Sequence, residues 1–361
     1  MKDSFRFLFP VGAGFGALGI GLWIPYILRP DYFPFPGKLH AFILIYGFLL
    51  PFILGLIGAL SRKSHALIVL SLAAGAAGLL LCAGSGSGIT DAASGRAGAL
   101  LQFQAFPLLT VVALGLGCFP PLFGSARAGE GGEPSSGPGG AGGIASALAL
   151  GIPFLASYPL EAWGTSAGYG ASSIRAAYCV RAAVWAWFLF RGIGIHHARR
   201  GLSPNIRAMR GSLYATGVGL CMPVAFPRHL LAWEHIVFIT GFLWLSLAAA
   251  AHLIARWRGR RDFAFHHPRK AKAMRSLRFL ALFGRVSSDL WAHRYWTLLG
   301  LAAAAAVSVL ALWAGIHFPL LMRPGRRGNT EVTRASRAPG LPLPRRRRGR
   351  SSASTVPSRP R

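Results

Sequence analysis

Apolar runs long enough to cross a bilayer recur along nearly the whole chain, and this recurrence constrains the fold more than any other feature. A helix needs about 20 mainly apolar residues to traverse the hydrocarbon core. Such runs occupy residues 7–28, 40–60, 66–83, 99–123, 144–160, 176–190, 212–226, 230–255 and 296–322. Inside lipid, backbone N–H and C=O groups must be satisfied within the segment, so these runs predict helices. The expected fold class is all-α: a polytopic integral membrane helix bundle of about nine to ten transmembrane helices.

The charge balance adds orientation. The chain carries 39 Lys plus Arg against 10 Asp plus Glu, a net charge of +29. A soluble nucleic-acid binder shares that excess, but not a hydrophobic content of 53% and a mean hydropathy of +0.46. Specific nucleic-acid binding, a soluble enzyme and a secreted disulfide scaffold are therefore not expected. Cys82, Cys118, Cys179 and Cys221 sit singly in or beside apolar runs, without CxxC spacing, and read as packing residues. The first run is too long for a signal-peptide core and lacks a small-residue cleavage pattern near Tyr26, Arg29 and Pro30, so it reads as a retained span.

Lys and Arg concentrate in alternate loops. Arg62 and Lys63 follow the second run. Arg191, Arg199, Arg200, Arg207 and Arg210 follow the sixth, and Arg256, Arg258, Arg260, Arg261, Arg269, Lys270 and Lys272 follow the eighth. These loops are assigned to the cytoplasm. Residues 323–361 add 12 Arg and one Glu, and nine spans would put them outside. A tenth, weaker span between Met274 and Trp291 returns them to the cytoplasm. Arg275, Arg278, Arg285 and Asp289 lie within it, each costly at mid-bilayer. Two regions follow: a transmembrane domain over 1–327 and a disordered Arg/Pro/Ser-rich tail over 328–361, too poor in apolar residues to fold. Residues 126–143 read as a flexible Gly-rich loop. The predicted partner is the lipid bilayer, with anionic lipid contacted by the basic loops and tail.

Polar residues inside spans are the informative ones, because each costs free energy without a partner. His40 opens the second run, and a neutral imidazole there suits haem iron or copper. The eighth run opens HLLAWEHIVFITGF, placing Glu234 and His235 one to two turns inside it. Along one helix His235 and His252 stand roughly 25 Å apart, too far to share one metal. Arg181, near the middle of the sixth run, is expected to face the interior and find a carboxylate, a carbonyl or an anionic ligand group such as a haem propionate. His317 reads as interfacial. The GxxxG at Gly12–Gly16 is a packing signal.

Three stretches together resemble the NnrS family. They are the opening SFRFLFPVGAGFGALGIGLWIPYI with its Pro/aromatic loop DYFPFPG, the segment LHAFILIYGF, and the ending HFPLLMRPGRRG. Proteins of that family are polytopic bacterial membrane proteins containing haem and copper, acting in nitric oxide metabolism and nitrosative stress. Their second span opens with His-Ala-His-Glu-Met and a Gly-Phe shortly after. Here His40-Ala41 and Gly47-Phe48 match, while Phe42 and Ile43 replace the second His and the Glu. His235, Gly241 and the Arg-rich stretch after His252 are similar to a late family span. The resemblance covers roughly residues 4–62 and 228–327. It implies haem, and copper, with His40, His235 and Arg181 as cofactor-binding candidates and His40, His235 and His252 as metal ligands. Whether the chain is an enzyme stays open. Two other readings remain: a small-molecule or ion permease using Arg181 and Glu234, and a non-catalytic membrane subunit of an electron-transport complex.

Overall fold

A computed structural model describes residues 4–57, 65–86, 92–123, 141–168, 170–197, 202–258 and 268–322. All described secondary structure is helical. In chain order the α-helices are α1 (Phe5–Gly21), α2 (Trp23–Leu28), α3 (Gly37–Phe42), α4 (Leu50–Ile57), α5 (His65–Gly86), α6 (Ala92–Leu100) and α7 (Phe106–Phe123). They continue with α8 (Ala141–Ser166), α9 (Gly170–Trp187), α10 (Pro204–Ala225), α11 (Leu230–Ile236), α12 (Leu245–Trp257), α13 (Pro268–Leu290) and α14 (Tyr295–Met322). Four π-helical segments interrupt them: Ile43–Leu49, Leu101–Ala105, Phe188–Gly192 and Val237–Trp244. Residues Met1–Arg323 form one unit and Pro324–Arg361 a second. The tail and the Gly-rich stretch up to residue 140 lie outside the described residues, as do Arg62, Lys63, Arg199, Arg200, Arg260 and Arg261.

Each of the ten expected spans falls largely on helix. Among the described residues, five helices are long and apolar enough to cross a membrane: Phe5–Leu28, Gly37–Leu56, Ser94–Leu116, Pro227–Trp257 and Ala292–Met322. Large apolar side chains also stand on the outer surface, among them Phe7, Leu80, Ile152, Trp163 and Phe283. In water such exposure would be a liability; facing acyl chains it costs nothing. Several basic residues assigned to loops are on helices instead. Arg207 and Arg210 lie in α10, and Arg269, Lys270 and Lys272 open α13.

Turns stop these helices by ordinary means. Gly168, just past α8, has φ +86°, a left-handed backbone that ends the helix and turns the chain toward α9. Ser203 caps α10 by accepting from the Ile206 N–H, with Pro204 at the first helical position. Between α1 and the second span, glycines and phenylalanines interlock. A Cβ on Gly12 would lie 2.7 Å from Phe52, on Gly16 2.8 Å from Phe48, on Gly47 2.8 Å from Phe15, and on Gly55 2.5 Å from Phe9. Each glycine is the hole for a ring opposite, so the GxxxG is an aromatic seam.

The bundle has two chemically distinct ends. At one, Trp23, Tyr26, Phe35 and Trp296 form an edge-to-face cluster that reaches His40. At the other, Arg6 donates to the Leu321 carbonyl and Arg258 to the Leu320 carbonyl, and both guanidiniums cover Trp257. Cations there satisfy the last carbonyls of α14. Helices α13 and α14 form a tight hairpin through the turn Ala292–Arg294, with Gly284 against Leu298 and Ala302. Arg285 and Asp289, costly as isolated charges, pair with each other at 2.7 Å on the inner face.

Candidate functional site

Six side chains from four segments converge on Arg181. Helix α8 presents Ser157 and Glu161 four residues apart, hence on one face, with Tyr158 beside them. Helix α9 presents Tyr178 and Arg181, three apart. Gln104 comes from the π-helical segment Leu101–Ala105 and Glu234 from α11.

The guanidinium is fully enclosed. Arg181 and Glu161 are both 0% exposed, with Nη1 2.8 Å from Glu161 Oε2. Arg181 Nε donates to Ser157 Oγ at 2.9 Å and Nη2 to the Ser157 carbonyl at 3.3 Å. Its plane lies between two rings, 3.8 Å from the Tyr158 centroid and 4.5 Å from that of Tyr178. Nη1 also donates to Gln104 Oε1 at 3.4 Å, and Gln104 Nε2 donates to Glu234 Oε1 at 2.6 Å. The Tyr178 hydroxyl donates to the same oxygen at 3.0 Å. One guanidinium thus links two carboxylates, Glu161 directly and Glu234 through Gln104. The contact with Glu161 is an ion pair by distance, not an aligned hydrogen bond. Glu161 Oε1 and the Tyr158 hydroxyl have no hydrogen-bond partner among the described residues.

Burial on this scale decides what the cluster is worth. Removing two charges from water costs several kcal/mol per ion, roughly matched by their attraction only when other hydrogen bonds complete the geometry. Two aromatic faces on the cation add about 2 kcal/mol when desolvated. The cluster is therefore near balance as a whole and strongly unfavourable with one member removed.

The histidines form a second group. His40 Nδ1 lies 2.8 Å from the Gly19 carbonyl, and the ring meets Trp23 edge-on at 5.7 Å. His235 Nδ1 lies 2.7 Å from the Leu231 carbonyl, and its ring meets Phe238 at 6.0 Å. A carbonyl only accepts, so Nδ1 carries the proton in both neutral rings and Nε2 carries the lone pair. Helix α11, which carries His235, packs against α13, which carries Arg285. The cluster and the pair adjoin through the neighbours Glu234 and His235. His252 is not brought to them; it lies far along the same continuous helix, in α12. Arg181 stands with Glu161.

The four π-helical segments among the described residues lie on the same continuous helices as these residues. Ile43–Leu49 follows His40, Leu101–Ala105 holds Gln104, Phe188–Gly192 follows the helix of Arg181, and Val237–Trp244 follows His235. Single π-turns inside α-helices shift side chains out of register and concentrate at functional sites.

Sequence reasoning found His40, Arg181, Glu234 and His235 but missed Glu161, Gln104, Tyr158 and Tyr178. Glu161 stands one residue beyond the expected end of the fifth span, outside the runs searched for polar residues. Its visible signal was an acid four residues from a serine on a helix otherwise apolar. One histidine assignment changes. His317 is buried and stacked on Trp313 at 4.7 Å, so it packs inside the bundle. Among the described residues no group of three or more His, Cys, Asp or Glu side chains is gathered around one point. Comparison with protein-family models, with curated proteins and with solved structures finds no match to this chain.

Proposed function

We propose that the chain is an NnrS-like, multi-pass protein of a bacterial inner membrane that binds haem and acts in nitric oxide metabolism or nitrosative-stress defence. The observation that carries this reading is the histidine pair. His40 and His235 come from separate spans, and each is oriented by an Nδ1 bond to a backbone carbonyl that leaves Nε2 as the ligating nitrogen. A metal bound by side chains alone needs three or four of them together. Haem brings four nitrogens of its own, so one or two imidazoles suffice. The residues present fit haem better than copper, and Phe42 in place of a second histidine points the same way. When bound, the haem iron supplies a site for nitric oxide. Arg285, on the helix packed against α11 and paired with Asp289, is the cation that would meet an acidic group of the cofactor. Ten spans, counting α13, complete this reading, with the Arg6/Trp257/Arg258 end in the cytoplasm.

Haem content per chain, measured on protein expressed with ample haem, tests the assignment. Wild type and the exposed control His293→Ala should carry haem, and His40→Ala or His235→Ala should lose it or change its Soret band. Equal spectra in all four proteins would overturn the assignment.

A second reading is favoured by the Arg181 cluster: a small-molecule or ion permease whose path runs past Glu161, Arg181 and Glu234. It predicts solute or ion uptake by proteoliposomes, abolished in Arg181→Met/Glu161→Met. Haem-loaded protein without such uptake would leave the cluster a structural role.

A further inference from the structure

Helix α13 changes character along its outer face. Arg269, Lys272, Arg275, Phe279, Phe283 and Leu290 follow one another at helical spacing, so they form one stripe. All six are exposed. The opposite stripe, with Met274, Ala281, Gly284, Arg285 and Ser288, is buried against the bundle. The outer stripe is thus basic for its first two turns and apolar for the rest. Over residues 268–278 the helix carries five cations and no acid.

The dimensions match a bilayer boundary. Arg275 to Trp291 spans about 24 Å of helix rise. A hydrocarbon core is about 30 Å thick, and Arg or Lys side chains lengthen their reach by snorkelling. Trp291, half exposed, then stands at the far interface. The near end is fixed by the antiparallel hairpin: with Gly284 against Leu298 and Ala302, the first turns of α13 run beside the last turns of α14, the helix end that Arg6 and Arg258 cap beside Trp257. Basic side chains around a tryptophan, directly below an apolar stripe, are what a headgroup layer meets.

We propose that the first two turns of α13 form a binding site for the headgroups of anionic phospholipids, with Arg269, Lys270, Lys272 and Arg275 as its cations and the Phe279/Phe283 stripe against the acyl chains. Arg269, Lys270, Lys272 and Arg275 are exposed, and none has an ion pair among the described residues. The site is independent of haem: it is on the outer surface and uses neither histidine.

The test uses the full chain in nanodiscs of phosphatidylcholine with a minor fraction of phosphatidylglycerol, followed by native mass spectrometry of the lipids retained. Two variants are compared with wild type. One neutralises the site (Arg269→Gln, Lys270→Gln, Lys272→Gln and Arg275→Gln), and the other neutralises Arg345, Arg346, Arg347 and Arg348 of the tail in the same way. Wild type and the tail variant should retain phosphatidylglycerol in preference to phosphatidylcholine, and the site variant should lose that preference by about tenfold or more. Loss in the tail variant alone, or equal retention in all three proteins, would overturn the proposal. The haem content of the same site variant separates this idea from the cofactor reading, since it should stay at the wild-type level.

Discussion

Two seams hold this bundle together by opposite means. Between α1 and the second span, contact is mainly apolar beyond the His40–Gly19 hydrogen bond: Phe9 stacks on Phe52 at 5.0 Å, Phe52 packs on Phe48 and Trp313, and glycines open the space for the rings. Between α8, α9 and α11, with Gln104 from the Leu101–Ala105 segment, contact is made by an enclosed guanidinium, two carboxylates, an amide and two tyrosines. The first seam degrades gradually, because dispersion is spread over many atoms. The second is all or none, because an unpaired charge in a low-dielectric interior has nowhere to go. A protein that needed only stability would repeat the first seam. The second lies next to His235, whose chain neighbour Glu234 belongs to it.

The largest effect should come from breaking the polar seam on one side. Arg181→Met leaves Glu161 buried without its cation and should cost about 3–5 kcal/mol, read as loss of the folded protein in a detergent thermal-shift assay. Arg181→Met/Glu161→Met removes both charges and should recover most of that loss. A single variant as stable as wild type would erase the contrast between the seams.

The apolar seam should respond less steeply. Gly12→Leu drives a side chain into Phe52 and should cost about 1–3 kcal/mol. Gly14→Ala is the control, because a Cβ there meets nothing within 4 Å. Equal losses at both positions would mean that ring-into-glycine packing is not what joins these helices.

The smallest effect belongs to a neutral hydrogen bond elsewhere in the bundle. Ser71 Oγ meets Thr110 Oγ1 in a buried contact between α5 and α7, while Thr110 keeps its own bond to the Phe106 carbonyl. Ser71→Ala should cost about 0.5–1.5 kcal/mol by the same assay. A loss matching that of Arg181→Met would show that burial of any polar group, charged or not, sets the scale.

The two seams also differ in how far the sequence reveals them. Gly12 and Gly16 lie on one helix face within a continuous apolar run, so close packing was expected before any coordinates. The all-α class follows equally directly from the length of the runs. Arg181 was visible as an anomaly, but its partner was not. Glu161 is far from it in sequence, at a span edge where an acid is commonplace, and only the pairing of α8 with α9 brings the two together. Gln104 is neutral and carries no signal at all. Hydropathy also undervalues α13, since averaging over residues counts Arg285 and Asp289 as two penalties when their side chains form one pair. Long apolar runs are properties of single segments and survive in one dimension; the polar centre is a property of three helices at once.

The histidine pair carries the functional account, and the absorption spectrum of the purified wild-type chain tests it most directly. Protein made with ample haem and extracted from membranes should show a Soret band, and that band should shift when nitric oxide is added to the reduced sample. A colourless protein, or a Soret band indifferent to nitric oxide, would contradict the account and leave the Arg181 cluster as the centre of a permease.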